Sequence, residues 1–255
     1  MWHEERYKRI RGLLKTFGQV SVERITSELG VSRETVRRDL LRLEARGEIQ
    51  RVHGGAVLVG DEPPIDVRAT TRVREKRAIA RAVAGLVESG QTLFLDAGTT
   101  TTFVAEALAS LHGLTVITNS VGVAAKLAAT QERDHGNHVR LLGGSFNAEL
   151  NSTYGAVTVA EIARHSVHVA ILSPVGVDAV MGATSFLLDE AEVARAMSTH
   201  AHHTIIAADR SKIGVRSRVG YCAVDAIGTL VTDQGAGRSQ AMKSLARSIG
   251  EVVYA

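Results

Sequence analysis

Four arginines, a threonine run and one lysine are the residues of this 255-residue chain whose types and spacing could do chemistry. In the stretch LGVSRETVRRDLLRLEARGEIQRVHGGA, from Leu29 to Ala56, Arg33, Arg37 and Arg38 fall on neighbouring turns of one helix, and Arg51 follows. A guanidinium pairs bidentately with guanine or bridges to phosphate, and the Ser32 and Thr35 hydroxyls are short donors suited to phosphates. In the second stretch, TLFLDAGTTTT, an apolar run ends in Asp96, Gly98, Thr99, Thr100 and Thr101. Glycine there permits close backbone approach, hydroxyls donate, and free N–H groups at a helix start point at an anion. Lys212, in AADRSKIG, could add a charge to phosphate, and Asp96 or Asp178 could accept from sugar hydroxyls.

The arginines need elements to hold them. From His3 to Phe17, Tyr7, Ile10, Leu13, Leu14 and Phe17 recur at helical spacing, and Gly18 ends the helix. Ser21 caps a second helix through Val22, Ile25 and Leu29 to a stop at Gly30. Ser32 caps a third, whose Val36, Leu40 and Leu43 share one face. After Gly47 the period changes: Glu48 to Val52 alternates, His53-Gly54-Gly55 turns, and Ala56 to Val59 returns as a β-hairpin wing. With the apolar face inward, Arg33, Arg37 and Arg38 flank it or face solvent, and the wing carries Arg51 and His53 toward a neighbouring DNA backbone. A basic amphipathic helix alone is more often a solvated face; the preceding helix, the Gly-Val-Ser turn and the wing tip the balance toward DNA.

These residues resemble the helix-turn-helix signature of the DeoR/GlpR family of bacterial transcription regulators. The resemblance runs from near Arg9 to Val57 and is carried by Thr-Val-Arg-Arg-Asp-Leu and Arg-Val-His-Gly-Gly-Ala. It implies that Ser32, Thr35, Arg37 and Arg38 face DNA. The expected DNA-binding set is Ser21, Ser32, Arg33, Thr35, Arg37, Arg38, Arg51 and His53.

Residues 1–60 are therefore expected as a winged helix-turn-helix, 61–74 as a linker marked by Pro63 and Pro64, and 75–255 as a sensing and oligomerisation domain. In the last, apolar runs at Thr92–Leu95, Leu114–Ile117, Val139–Leu142, Val167–Leu172, Thr204–Ala207 and Thr229–Val231 alternate with helical patterns. That argues for an α/β fold with a mostly parallel sheet, in which ligands bind beyond the C-terminal strand ends. The residues just beyond the runs are small, hydroxylated or acidic: Asp96 to Thr102, Thr118-Asn119-Ser120, Gly143-Gly144-Ser145, Gly176-Val177-Asp178 and Asp209 to Lys212. Each alone is an ordinary βα turn; their convergence suits a phosphorylated ligand.

The family resemblance extends here through FLDAGTTTT, TNS, LLGGSFN and AADRSKIG. It implies a sensor similar to ribose-phosphate isomerases and CoA transferases that reads a phosphorylated sugar or polyol. By position it carries Asp96, Gly98, Thr99, Thr100, Thr101, Asn119, Gly143, Gly144, Asp178 and Lys212 into the pocket, and Ser120 is placed with them. The chain departs from the pattern at Ala194, where the family usually has Lys, and in GATSF.

Net charge is only +3, but residues 1–57 hold an excess of +4, so the positive charge sits in the head. Cys222 is the sole cysteine, which excludes an internal disulfide, and with no matching His/Asp arrangement it reads as structural. His200, His202 and His203, like His135 and His138, lack the partners of a metal site, and no cofactor is expected. No leader and no bilayer-spanning run are apparent, so a cytoplasmic protein without a membrane partner is expected. Two functions stand: a homodimeric or homotetrameric regulator of double-stranded operator DNA, released by its effector, or a sugar-phosphate isomerase or transferase with an added nucleic-acid-binding head. For the enzyme, Glu190 and Asp178 are the available bases.

Overall fold

The structure, a computed structural model, describes residues 2–17, 19–52, 54–58, 65–130 and 136–255. It divides into two compact units, Met1–Val67 and Arg68–Ala255.

The first unit runs α1 (His3–Phe17), β1 (Gln19–Ser21), α2 (Val22–Leu29), α3 (Arg33–Ala45), β2 (Ile49–Val52) and β3 (Gly55–Leu58). The apolar faces read from the sequence close on one another: Tyr7, Ile10, Leu14, Ile25, Val36, Leu40 and Leu43 form one core with Ile49 and Ala56 of the wing. Both helix starts are capped. The Ser21 Oγ accepts from the Arg24 amide at 3.1 Å and the Ser32 Oγ from the Thr35 amide at 3.2 Å. Gly30 closes α2 with φ +63°, a left-handed conformation that costs glycine little. The hairpin wing is present, and it gains a strand that periodicity does not reveal: β1 pairs with β3, giving the order β1-β3-β2. Three residues are too few to show an alternating pattern. The trace lies in Gly55, where a Cβ would stand 2.3 Å from the Val20 carbonyl oxygen.

Among the described residues of this unit Asp39 is the buried charge, 1 % exposed on the core side of α3. Arg6 of α1 holds it with two bonds, Nε to Oδ2 at 2.6 Å and an Nη to Oδ1 at 3.0 Å. The Asp39 hydrogen bond raises the Arg6 pKa above its ordinary value.

The second unit runs α4 (Ile65–Thr70), α5 (Val73–Ala84), β4 (Thr92–Leu95), α6 (Thr99–Leu108), β5 (Thr115–Thr118), α7 (Val121–Thr130) and β6 (His138–Leu141). It continues with β7 (Ser145–Asn147), β8 (Ser152–Tyr154), α8 (Ala156–Ile162), β9 (Val167–Leu172), β10 (Gly176–Asp178), β11 (Gly182–Ser185) and α9 (Leu188–Thr199). It ends with β12 (Ala201–Ala207), β13 (Val219–Cys222), β14 (Thr229–Thr232), α10 (Gln240–Leu245) and β15 (Glu251–Tyr254). The boundary between the two units falls inside α4, and helix occupies most of the described part of the stretch expected as a linker.

Seven strands form one sheet, β15-β14-β12-β9-β4-β5-β6, and every neighbouring pair is parallel. Successive side chains go to opposite faces. Leu93, Leu95, Val169, Ile171, Ile205 and Ala207 pack with α5, α6 and α7, while Phe94, Ala170, Leu172 and Ile206 pack with α8, α9 and α10. Covering on both faces explains why the middle strands read as mostly apolar runs. The expected strands are present with shifts of up to three residues at their ends. Three elements differ. β15 was not expected, and Gly176 to Asp178 is a strand, part of a small antiparallel sheet β10-β11-β13, where a strand-end turn was expected. The β7–β8 hairpin was not expected either; it sits over the ends of β5 and β6, with Thr153 Oγ1 donating to the Leu142 carbonyl at 2.8 Å.

Asp39→Ala should destabilise the head by about 3 kcal/mol, because it removes the buried carboxylate on which the Arg6 guanidinium makes two bonds. The joint replacement Arg6→Met/Asp39→Leu should cost less than the single one. Native-state hydrogen exchange of the α3 amides reads both, and an Asp39→Ala protein with unchanged α3 protection would contradict this role.

Candidate functional site

In the head, α3 turns Val36, Leu40 and Leu43 inward and leaves Arg33, Arg37 and Arg38 exposed. Arg38 reaches Glu34 at 3.2 Å and Arg33 reaches Glu23 at 3.4 Å, both on the surface. Such pairs are weak and open readily to a polyanion. Arg37 makes no ion pair among the described residues. Arg51 of β2 is anchored to α3 by its amide on Glu44 Oε1 at 3.1 Å, with its guanidinium 3.7 Å from Oε2. A concavity of about 560 Å³ lies between α3 and the wing, lined in part by Arg37, Arg38, Leu41, Arg51, Gly54 and Gly55. His53 lies outside the described residues.

The serines play two parts. The Ser21 and Ser32 oxygens accept capping bonds, which leaves each hydroxyl hydrogen to donate, and Ser32 Oγ lies 2.9 Å from Thr35 Oγ1. Leu41, half exposed on the stripe of Glu34, Arg37 and Arg38, was missed. Its i, i+3, i+4, i+7 spacing from Glu34 was the available signal.

In the second unit the sheet reverses its direction of travel between β4 and β9. The chain leaves β4 toward β5 and β6, and later leaves β9 toward β12, β14 and β15. A crevice outside the carboxyl ends of the two middle strands follows from that order. The residues after β4 lie there. Asp96, 7 % exposed, accepts from the Ser173 amide just beyond β9 at 2.9 Å and so ties the two strand ends together. Thr99 and Thr100 open α6. Asn119, at the end of β5, donates to the Thr153 carbonyl at 2.9 Å, and its enclosed Oδ1 has no hydrogen-bond partner among the described residues. Ser120 caps α7, its Oγ accepting from the Val123 amide at 3.2 Å. Gly143 and Gly144 follow β6, where the Gly143 amide donates to Glu161 at 3.1 Å.

Two expected members, Thr101 and Asp178, have their side chains engaged elsewhere. The Thr101 hydroxyl turns back to the Gly98 carbonyl at 3.0 Å, and the residue is fully buried. Asp178 belongs to the β10–β11 hairpin, where Oδ1 accepts from the Val180 and Met181 amides and Oδ2 from Arg216 at 2.6 Å. Burial would raise its pKa; the Met181 amide, Arg216 and the Val180 amide outweigh it and hold the carboxyl below the ordinary range. Lys212 follows β12, and its carbonyl accepts from the Val177 amide at 3.0 Å.

Sequence reasoning missed a group of charges at the same edge. Lys76 of α5, 6 % exposed, donates to Thr99 Oγ1 at 2.9 Å and to the Arg68 carbonyl at 2.5 Å. Arg72 lies 3.5 Å from Asp209, and Arg210 bridges Glu75 at 3.2 Å and Asp233 at 3.0 Å. A signal existed for Lys76: it precedes Ile79 by three residues and Val83 by seven, which places a lysine on the apolar face.

A second concavity, of about 400 Å³, is lined by His202, His203 and Cys222 among others. His203 Nε2 is 2.9 Å from Thr229 Oγ1, His200 Nδ1 is 2.9 Å from the Ala196 carbonyl, and burial pushes the Cys222 thiol up, away from a reactive thiolate. No group of three or more metal-ligating side chains occurs among the described residues, and no described helix is long and apolar enough to cross a membrane.

Residues 6–62 match the DeoR-like helix-turn-helix domain and residues 71–234 match the DeoR C terminal sensor domain. The HTH-type transcriptional repressor GlcR of Bacillus subtilis (strain 168) is 34 % identical over 237 residues, covering 92 % of this chain and 90 % of that protein. The Glycerol-3-phosphate regulon repressor of Escherichia coli (strain K12) is 32 % identical over 235 residues, covering 91 % and 92 %. Among solved structures, ribose 5 phosphate isomerase A from Neisseria gonorrhoeae aligns with a TM-score of 0.39 at 17 % identity, covering 56 % of this chain and 54 % of that one. With both halves matched in this order, the chain belongs to the DeoR family of transcriptional regulators, a DNA-binding helix-turn-helix followed by a sensor domain.

Proposed function

We propose that the chain represses a carbohydrate or polyol catabolic operon from the cytoplasm and is released from its operator by a phosphorylated sugar or polyol bound at the strand ends of the sensor. The observation that carries the reading is the pairing of an exposed arginine stripe on α3 with a second, buried polar edge at the β4–β9 reversal. α3 enters the major groove; Arg37 and Arg38 reach base edges or phosphates, and the Ser21, Ser32 and Thr35 hydroxyls and Arg51 hold the backbone. At the sensor, Asp96, Gly98, Thr99, Thr100, Asn119, Ser120, Gly143 and Gly144 surround the ligand. The Asn119 Oδ1, enclosed without a partner, is an acceptor for a ligand hydroxyl. Lys212 supplies charge from the β12 side.

Binding without turnover is favoured over the isomerase reading. Asp178 is committed to Arg216 and to its own hairpin, and Glu190 accepts from Ser185 Oγ at 2.7 Å, so neither proposed base stands ready for a substrate proton. One head covers a short half-site, and pairing heads multiplies affinity, so the working form is a homodimer or homotetramer held through the second unit.

Two outcomes are expected. Arg37→Ala should leave the melting temperature of the full chain nearly unchanged. It should cost about 1–3 kcal/mol against a duplex enriched from random sequence, with relaxed preference at one base position if Arg37 reads a base. Anisotropy titrations against enriched and random duplexes decide it, and unchanged binding would remove α3 from the groove. Sedimentation of the full chain at micromolar concentration should give a dimer or tetramer; a monomer there would contradict the paired-head arrangement.

A further inference from the structure

Lys76 is a lysine almost wholly enclosed, and burying an ammonium is costly unless its donors are used. Two of its bonds lead to different places. One goes to the Thr99 hydroxyl, on the first residue of α6, where the opening amides have no intrahelical acceptor. The other goes to the Arg68 carbonyl in α4, the first described element after the wing, which also accepts from the Thr71 amide at 3.3 Å. The ammonium therefore joins the β4–α6 turn to the segment that enters the sensor from the head. The start of α5 is fastened to the same sheet edge by Arg72 on Asp209 and Glu75 on Arg210. At the adjacent strand end, the partnerless and buried Asn119 Oδ1 points independently to a ligand there.

We propose that Lys76 is both the cation that receives the effector's anionic group and the link that passes its arrival to α4. This rests on the effector reading above and goes beyond it, since Lys212 was the charge assigned there. A charge-assisted bond from an ammonium to an anionic oxygen is stronger than one to a neutral carbonyl. An anion seated on the α6 amides next to Thr99 draws Nζ away from Arg68, and the last turn of α4 loses that bond. The bonds exchanged are hydrogen bonds, and no covalent step is involved. The effector can shift the equilibrium only by its differential affinity, and competition with the Arg68 carbonyl provides that difference.

The probe is whichever of glycerol 3-phosphate, a hexose 6-phosphate and inorganic phosphate raises the wild-type melting temperature most. Hydrogen exchange of residues 65–76 in the full wild-type chain should rise when that probe is added. Lys76→Met should bind the probe about tenfold more weakly or worse, and its 65–76 exchange should be high without probe and unmoved by it. Thr99→Val, isosteric and leaving the Arg68 bond in place, should also weaken the probe but keep the low exchange of the unliganded wild type. Wild-type binding with unchanged 65–76 exchange overturns the link, whether or not the Lys76 variant folds. A Lys76→Met protein that binds the probe as wild type does overturns the assignment of the cation. If no phosphorylated probe is bound by wild type, the effector reading itself fails, and this proposal with it.

Discussion

The reversal of strand order between β4 and β9 is the constraint on which the sensor depends. The middle strands, covered by helices on both faces, bury apolar side chains on each, as the split of Leu93 and Leu95 from Phe94 shows. The site's polar groups gather at strand ends, and at the reversal the outgoing connections part company and leave a crevice. The Asp96 carboxylate on the Ser173 amide closes that edge into one piece. Lys76, Thr99 and Asn119 then take their places by position on α5, on α6 and just past β5, not by flexibility of their own.

The head solves a related problem on a smaller scale. Its core of about a dozen apolar side chains is thin, and Asp39 with Arg6 takes up polar space inside it. Caps at Ser21 and Ser32 and the left-handed Gly30 set where α2 and α3 begin and end. That phase decides which arginines are outward. Shifting the start of α3 by one residue would rotate Arg37 and Arg38 by about 100° around the helix axis. On the proposed reading, head and sensor both meet anions with a helix start, a short hydroxyl and a nearby cation, one for a polymer and one for a small molecule.

Much of this was legible. The helical periods in the head, both serine caps and the hairpin had local causes, and the Val167–Leu172 strand was read to the residue. The Asp96 turn was legible because glycine and hydroxyl residues after an apolar run have a physical meaning wherever they occur. Other features were set by contacts far apart in sequence. Asp178 reads as a strand-end acceptor until Arg216, on a segment distant in the chain, is seen to take it. β1 and the β7–β8 hairpin are three-residue strands whose pairing carries no periodic signature. Lys76 was not singled out, although its spacing to Ile79 and Val83 marked it as inward; only the fold shows how deeply it is buried.

The central claim is that an anionic group bound at the strand ends changes the grip of the head on DNA. The most direct measurement holds the full chain on a duplex enriched from random sequence and titrates it with two compounds that differ only by a phosphoryl group, such as glycerol 3-phosphate and glycerol or a hexose 6-phosphate and its free hexose. Anisotropy should fall with the phosphorylated member of one such pair and stay level with its unphosphorylated counterpart. Equal responses to both members, or release by none of the phosphorylated compounds, would contradict the account.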